Sequence, residues 1–158
     1  MWRRVLGMML MLVGTASAWA GDDVLVSNAW LRESVPGQST ASLQLSLTTT
    51  RPGMLLKVET PLAASVQIQQ VMPRPGQVSV HVLRSLRLPR DRTITFGERG
   101  LALMLVGLRA PLSAGSSIPL TLTVRLFDGQ LYKLQASAEV RALELSYRHY
   151  ESGEVHDH

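Results

Sequence analysis

Apolar and polar residues alternate in two neighbouring parts of the chain, at positions 118–127 and 131–140, with Asp128-Gly129 between them. In the first part, the apolar residues at positions 120, 122, 124 and 126 would share one face. A period of two residues is typical of a half-buried β-strand, and Asp-Gly is a favoured turn between two antiparallel strands. The pattern therefore predicts a β-hairpin with one buried face.

Short apolar or alternating segments recur along the rest of the chain, separated by turns that contain proline, glycine or both. No stretch has a sustained helical period with caps, and 142–150 is the one candidate for an exception. Several short strands at roughly 8–12-residue spacing indicate an antiparallel β-sandwich. We therefore predict an all-β, single-domain fold over residues 21–141. The predicted strands are 24–31, 42–47, 54–59, 66–72, 78–83, 93–96, 101–106, 118–127 and 131–140.

Residues 1–20 have the layout of a secretory signal peptide. Arg3 and Arg4 form a basic start, an apolar run occupies 5–13, and small residues at Ala18 and Ala20 fit a cleavage site. The apolar run is too short to cross a bilayer, and no later stretch is long and apolar enough to do so. We predict cleavage after Ala20, export to the periplasm and no membrane span after cleavage.

Composition limits the chemistry available to the exported protein. The 158 residues include no cysteine, which removes disulfides, thiolate metal ligands and the lipid-anchor cysteine of bacterial lipoproteins. Any soft metal ligand must then be methionine, with histidine as its partner. The formal net charge is +4, and the basic residues are scattered, with Lys57 and Lys133 as the only lysines. This distribution argues against nucleic-acid binding, which requires a concentrated basic face.

The sequence also argues against an enzyme. It contains no Gly-x-Ser-x-Gly elbow, no cysteine nucleophile and no pair of carboxylates within the predicted strands. His81 is the only histidine between the predicted signal peptide and residue 141, and we interpret it as a surface histidine on a strand. We therefore predict that the protein has no catalytic site.

Residues 142–158 differ from the domain and are predicted to form an appended C-terminal segment. His149, His156 and His158 lie within ten residues of one another, and the last two would face the same way in an extended chain. Imidazoles at this spacing can chelate Cu(II), Ni(II) or Zn(II). The alternative is a polar chain end in which the histidines occur by chance.

Several stretches of the domain resemble the periplasmic copper chaperone PCu(A)C family, small exported proteins with a cupredoxin-like β-sandwich. The resemblance covers roughly residues 24–140 and implies a cupredoxin-like fold for this chain. It also implies copper as the cargo, and delivery of that copper to acceptor proteins of oxidase assembly. The stretches that carry it are Ala29-Trp30-Leu31-Arg32, Pro36-Gly37 with 41–47, 59–66, Leu88-Pro89, and 100–108 followed by Pro111-Leu112-Ser113-Ala114-Gly115 and 119–123.

The resemblance also implies where copper ligands should lie. The family binds Cu(I) through the pattern His-x10-Met-x21-His-x-Met, which falls here on Gln69, Val80, Ala102 and Met104. Only Met104 retains a soft ligand, so we predict a degenerate copper site. Met72 and His81 are expected to point away from Met104 unless a β-bulge shifts the register.

Two interpretations of Met104 remain open. In the first, Met104 fills an apolar patch with Ala102 and Val80, as methionine often does. In the second, it belongs to a reduced copper site that His156 or His158 completes. The candidate metal ligands are thus Met104, His149, His156 and His158. The predicted function is copper handling in the periplasm, and the alternative is an interaction or scaffold module that binds no metal.

Overall fold

The computed structural model describes residues 23–143, which form ten β-strands and no helix. No helix in this part of the chain could therefore span a membrane. The all-β prediction is confirmed. The strands are β1 Val24–Arg32, β2 Thr40–Thr49, β3 Gly53–Glu59, β4 Ala63–Arg74, β5 Gln77–Leu83, β6 Leu86–Leu88, β7 Ile94–Phe96, β8 Leu101–Leu108, β9 Ser117–Leu126 and β10 Leu131–Arg141.

The strands form one continuous hydrogen-bonded sheet in the order β5-β4-β8-β2-β1-β10-β9-β3-β6, with β7 paired to β2 beside β8. All pairs of strands are antiparallel except β1 and β10, which run parallel. Parallel neighbours need a long connection, and here the whole domain between β1 and β10 provides it. This one pair departs from the purely antiparallel arrangement that the sequence predicts.

A single hydrophobic core joins strands from both halves of the sheet order, so the sheet folds over itself into a sandwich. The predicted alternation of β9 is confirmed, because its four apolar side chains at positions 120–126 are buried. Alternate residues of β2 face the same core. Each fully buried leucine contributes about 1.5–3 kcal/mol relative to an exposed one. The most deeply buried side chains include Leu31, Leu43, Leu45, Leu47, Phe96, Leu103, Leu105, Leu120 and Leu122.

A β-bulge in β1 sets which of its residues face outward. The register with β2 shifts between Ser27 and Trp30, and Asn28 adopts a left-handed φ of 52°. Val24 is buried before the bulge and Leu31 after it, so the bulge reverses the alternation between them. Trp30 consequently faces outward, where its ring centroid lies 4.6 Å from the guanidinium carbon of Arg141.

The short strand β6 was not predicted from the sequence. It pairs with the start of β3, where Gly53 lies opposite Leu88, and Leu88 is buried in the core. Three residues are too few for a recognisable alternation, so only the tertiary contact reveals this strand. It forms one edge of the sheet, and β5 forms the other.

Candidate metal centre

The four positions that the family resemblance assigns to copper ligands lie on one outward face of the sheet. Gln69 pairs with Ala102 on β8, while Val80 on β5 pairs with Val71, two residues further along β4. Met104 is two residues after Ala102 and therefore shares its face. The intervening β8 side chain, Leu103, is fully buried on the core side. The topology thus brings these positions together.

Met104 is half-buried between two neutral side chains. Gln67 is its cross-strand neighbour on β4, and Ser42 is its neighbour on β2. The Gln69 side-chain amide donates a hydrogen bond of 3.0 Å to the Gln67 side-chain oxygen. One thioether is therefore surrounded by amide and hydroxyl groups, which are poor ligands for a soft ion. Sequence reasoning missed Gln67 and Ser42; only the two-residue spacing from Gln69 could have indicated Gln67.

Gly100 fixes the start of β8 beside β4. Its φ is +80°, and its carbonyl oxygen accepts a 2.7 Å hydrogen bond from the backbone N–H of Val71. A Cβ at this position would lie 2.7 Å from the carbonyl oxygen of Val71, closer than atoms tolerate. Glycine therefore permits the close approach of β8 to β4 that sets the register of Ala102 and Met104.

His81 and Met72 lie on the opposite face of the β4–β5 pair. The register of this pair continues without a shift from Ile68↔Leu83 to Arg74↔Gln77. No bulge turns either side chain toward Met104, so the expectation that both point away is confirmed. His81 is exposed, and its Nε2 lies 3.1 Å from the hydroxyl oxygen of Ser79.

The chain leaves the described region on the face that carries Met104. The backbone N–H of Leu143 donates a 3.0 Å hydrogen bond to the Glu33 carboxylate. Leu143 also lines a cavity of about 340 Å³ together with Trp30 and Ser42. Ser42 is the β2 neighbour of Met104. His149, His156 and His158, the other candidate ligands, lie outside the described residues.

The side chains paired directly with Met104 carry no charge. Within residues 23–143 no three His, Asp or Glu side chains form a group that could hold a metal ion. Hydrogen bonds from Thr50 and then Arg51 lower the pKa of Asp23, and Lys57 lowers the pKa of Glu59. Neither carboxylate is a cross-strand neighbour of Met104. A cation bound directly at Met104 would therefore depend on soft ligands rather than on a neighbouring carboxylate.

Comparison with known proteins gives one matching family model and a relative in a curated collection. The family described as "Putative lipoprotein LpqE-like" matches residues 24–128. The "Putative lipoprotein Lxx21020" of Leifsonia xyli subsp. xyli is 30% identical over 109 residues, which are 68% of this chain and 64% of that protein. The match thus spans less than two thirds of the relative's own length.

Solved structures share the fold. The apo PCuAC domain of PmoF2 superposes with a TM-score of 0.61 at 21% identity, over 77% of this chain and 91% of that domain. The solution structure of CuI-DR1885 from Deinococcus radiodurans gives a TM-score of 0.59 at 26% identity, over 80% of this chain and 83% of that one. The predicted cupredoxin-like sandwich is therefore confirmed.

Proposed function

This chain belongs to the LpqE-like family, and from that membership we propose that it is an exported, copper-chaperone-like protein of the periplasm. Two comparisons support the proposal. The family description names a lipoprotein, which favours export, and one of the similar solved structures is the Cu(I) form of DR1885. The predicted signal peptide at 1–20 belongs to the same proposal, as do the domain at 21–141 and the C-terminal segment at 142–158.

The proposed site consists of Met104 and a histidine from the C-terminal segment. The observation that carries it is the position of Leu143, on the cavity that also contains Ser42, the cross-strand neighbour of Met104. Neighbouring strands are about 4.8 Å apart. The six residues from Leu143 to His149 can extend roughly 20 Å. His149 can therefore reach Met104, and the longer connections to His156 and His158 allow them to do the same.

Cu(I) is the ion that these ligands fit best. Thioether and imidazole are soft or borderline donors, and Cu(I) accepts few of them. Gln69, Val80 and Ala102 supply none at the positions where the resemblance implies ligands, so the site we propose is degenerate. The uncharged side chains paired with Met104 and the small number of ligands favour weak binding of the copper ion. A weakly bound ion can pass to acceptor proteins of oxidase assembly. No catalytic step is proposed.

The test is a titration of the exported protein with Cu(I) against a competing chelator. We expect competitive binding that weakens in Met104→Leu and in the triple variant with His149, His156 and His158 changed to Gln. Met54→Leu is the matched control, because Met54 is a half-buried methionine on β3, away from this face. Binding that none of the Met104 and histidine variants weakens would overturn the proposed site.

The alternative function is a contact module that binds no metal. Its support is the outward row of Val78, Val80 and Val82 on edge strand β5, which are 68%, 51% and 59% exposed. Exposed apolar side chains on a sheet edge favour association with another chain. A protein that fails to compete for Cu(I) at all would favour this alternative over copper handling.

A further inference from the structure

The β4–β5 hairpin carries two metal-binding side chains that the proposed site does not use. Met72 and His81 share the face opposite to Met104. Met72 is directly across from Ser79, and His81 is directly across from Gln70, so the two are diagonal neighbours. Both are exposed, Met72 by 40%. His81 is the one histidine within residues 23–143, and it falls beside one of the three methionines of that region.

The orientation of His81 brings its ring toward Met72. Its Nε2 lies 3.1 Å from the hydroxyl oxygen of Ser79. The imidazole therefore points along β5 toward Ser79, which lies directly across from Met72. Diagonal neighbours such as Met72 and His81 are about 7–8 Å apart, a separation that aromatic and long side chains can span. The flexible methionine side chain, with three rotatable bonds, can bring its sulfur across this separation. An imidazole nitrogen and a thioether can thus approach the same point.

We propose that His81 and Met72 form a second site, for a soft monovalent cation such as Cu(I) or Ag(I), on the face opposite to Met104. Such ions accept an imidazole and a thioether in low coordination. Harder divalent ions favour carboxylate and carbonyl oxygens, and no carboxylate lies on β4 or β5. This site shares no ligand with the proposed Met104 site, so either can exist without the other.

The surroundings favour loose binding at this pair. Arg74 is on the same face as Met72, two residues further along β4, and is exposed. Its charge opposes a cation, but solvent and salt screen that repulsion at an exposed position. The Ser79 hydroxyl must also give up its contact with His81 Nε2 if that nitrogen binds the ion. We therefore infer a site that exchanges its ion readily.

The test is a titration of the exported protein with silver nitrate in chloride-free buffer, followed by NMR of the methionine methyl groups and the histidine rings. Silver(I) is used because it has the ligand preferences of Cu(I) without its oxidation chemistry. We expect the Met72 methyl and the His81 ring signals to move together and to saturate. Met72→Leu and His81→Gln replace exposed side chains, so the backbone spectrum should show that both variants stay folded.

The variants separate this site from the one at Met104. His81→Gln should abolish the saturable shift of the Met72 methyl and leave that of Met104 unchanged, whereas Met104→Leu should leave the Met72 shift intact. Met54→Leu is the control for non-specific silver binding. A Met72 shift that persists in His81→Gln, or no Met72 shift at all, would overturn the second site without bearing on the proposed function.

Discussion

Gln69 lies directly across from Ala102, on the face where Met104 follows two residues later. Directly opposed side chains have Cβ atoms about 4.5–5.5 Å apart, a spacing at which two imidazoles could hold one ion. Glutamine and alanine supply no soft ligand there. The backbone of this face thus remains suited to a metal site although three of its four side chains are not.

This relationship predicts that copper binding can be strengthened by substitution. The double variant Gln69→His with Ala102→His should bind Cu(I) more tightly because both imidazoles would join the Met104 thioether. We expect each added imidazole to raise the affinity for Cu(I) at least about tenfold, which corresponds to about 1.4 kcal/mol of binding free energy, in a competition titration. The control is Ala136→His, at another half-buried alanine on a strand. An equal gain in Cu(I) affinity from the control would show that a histidine added at any position strengthens copper binding.

The Gly100 turn should be intolerant of a side chain. Gly100→Ala must place a Cβ 2.7 Å from the Val71 carbonyl oxygen at a φ of +80°. Left-handed backbone costs a non-glycine residue about 1–3 kcal/mol, and the close contact adds to this. The control is Gly115→Ala, where φ is +83° but no atom lies within 4 Å. Urea unfolding should show a clearly larger loss in the free energy of unfolding for Gly100→Ala than for Gly115→Ala. Equal losses would contradict the account of the β4–β8 register.

Asp23 should make stability depend on pH in the acid range. Hydrogen bonds from Thr50 and Arg51 hold the pKa of Asp23 below its ordinary value of 3.8. A carboxyl with a lowered pKa in the folded state stabilises the protein above its unfolded pKa, and this contribution is lost as pH falls through the folded pKa. Thermal unfolding should therefore show a lower Tm for Asp23→Asn at neutral pH, with the difference shrinking as the pH falls below 3.8 and through the lowered pKa of Asp23 in the folded state.

The control for this effect is Asp91→Asn, because Asp91 is an exposed carboxylate whose ion-pair partner, Arg90, is its neighbour in sequence. It should change the Tm little. Arg51 also contacts Asp128 and Tyr132, so it joins the start of β1 to the β9–β10 turn. A pH-independent effect of Asp23→Asn would show that the ion pair contributes nothing through ionisation.

Edge strand β5 should mediate any self-association. Val80→Lys places a charge in the exposed valine row, and charges on edge strands oppose strand pairing between chains. Val35→Lys is the control because Val35 is as exposed as Val80, at 51%, but lies in the loop between β1 and β2 rather than on an edge strand. Sedimentation over a range of concentrations should show reduced association only for Val80→Lys. An equal reduction of association in both variants would indicate that the added charge increases solubility in general, wherever it is placed.

Much of the fold could be predicted from sequence because local patterns encode it. The alternation at 118–127 and the Asp128-Gly129 turn identified the β9–β10 hairpin, which the structure confirms. The parallel β1–β10 pair left no local signal because its strands are separated by most of the chain. The bulge at Asn28 was likewise missed, although it decides that Trp30 faces outward and Leu31 inward.

The candidate site was predictable only in part. The family resemblance implied that Gln69, Ala102 and Met104 belong to one site, and the strand register places them on one face. The nearness of Leu143 to Ser42 could not be predicted, because it depends on a hydrogen bond to Glu33, 110 residues earlier in the chain. The shared face of Met72 and His81 follows from an uninterrupted register, which sequence alone could not guarantee.

The most direct test of the central claim, that Met104 and a C-terminal histidine hold Cu(I), is X-ray absorption at the copper edge. The Cu(I)-loaded protein should carry Met72→Leu and His81→Gln, so that the second site cannot contribute. We predict a sulfur ligand together with nitrogen ligands, and loss of the sulfur when Met104→Leu is added. A spectrum that Met104→Leu leaves unchanged, or one without sulfur from the start, would contradict the claim.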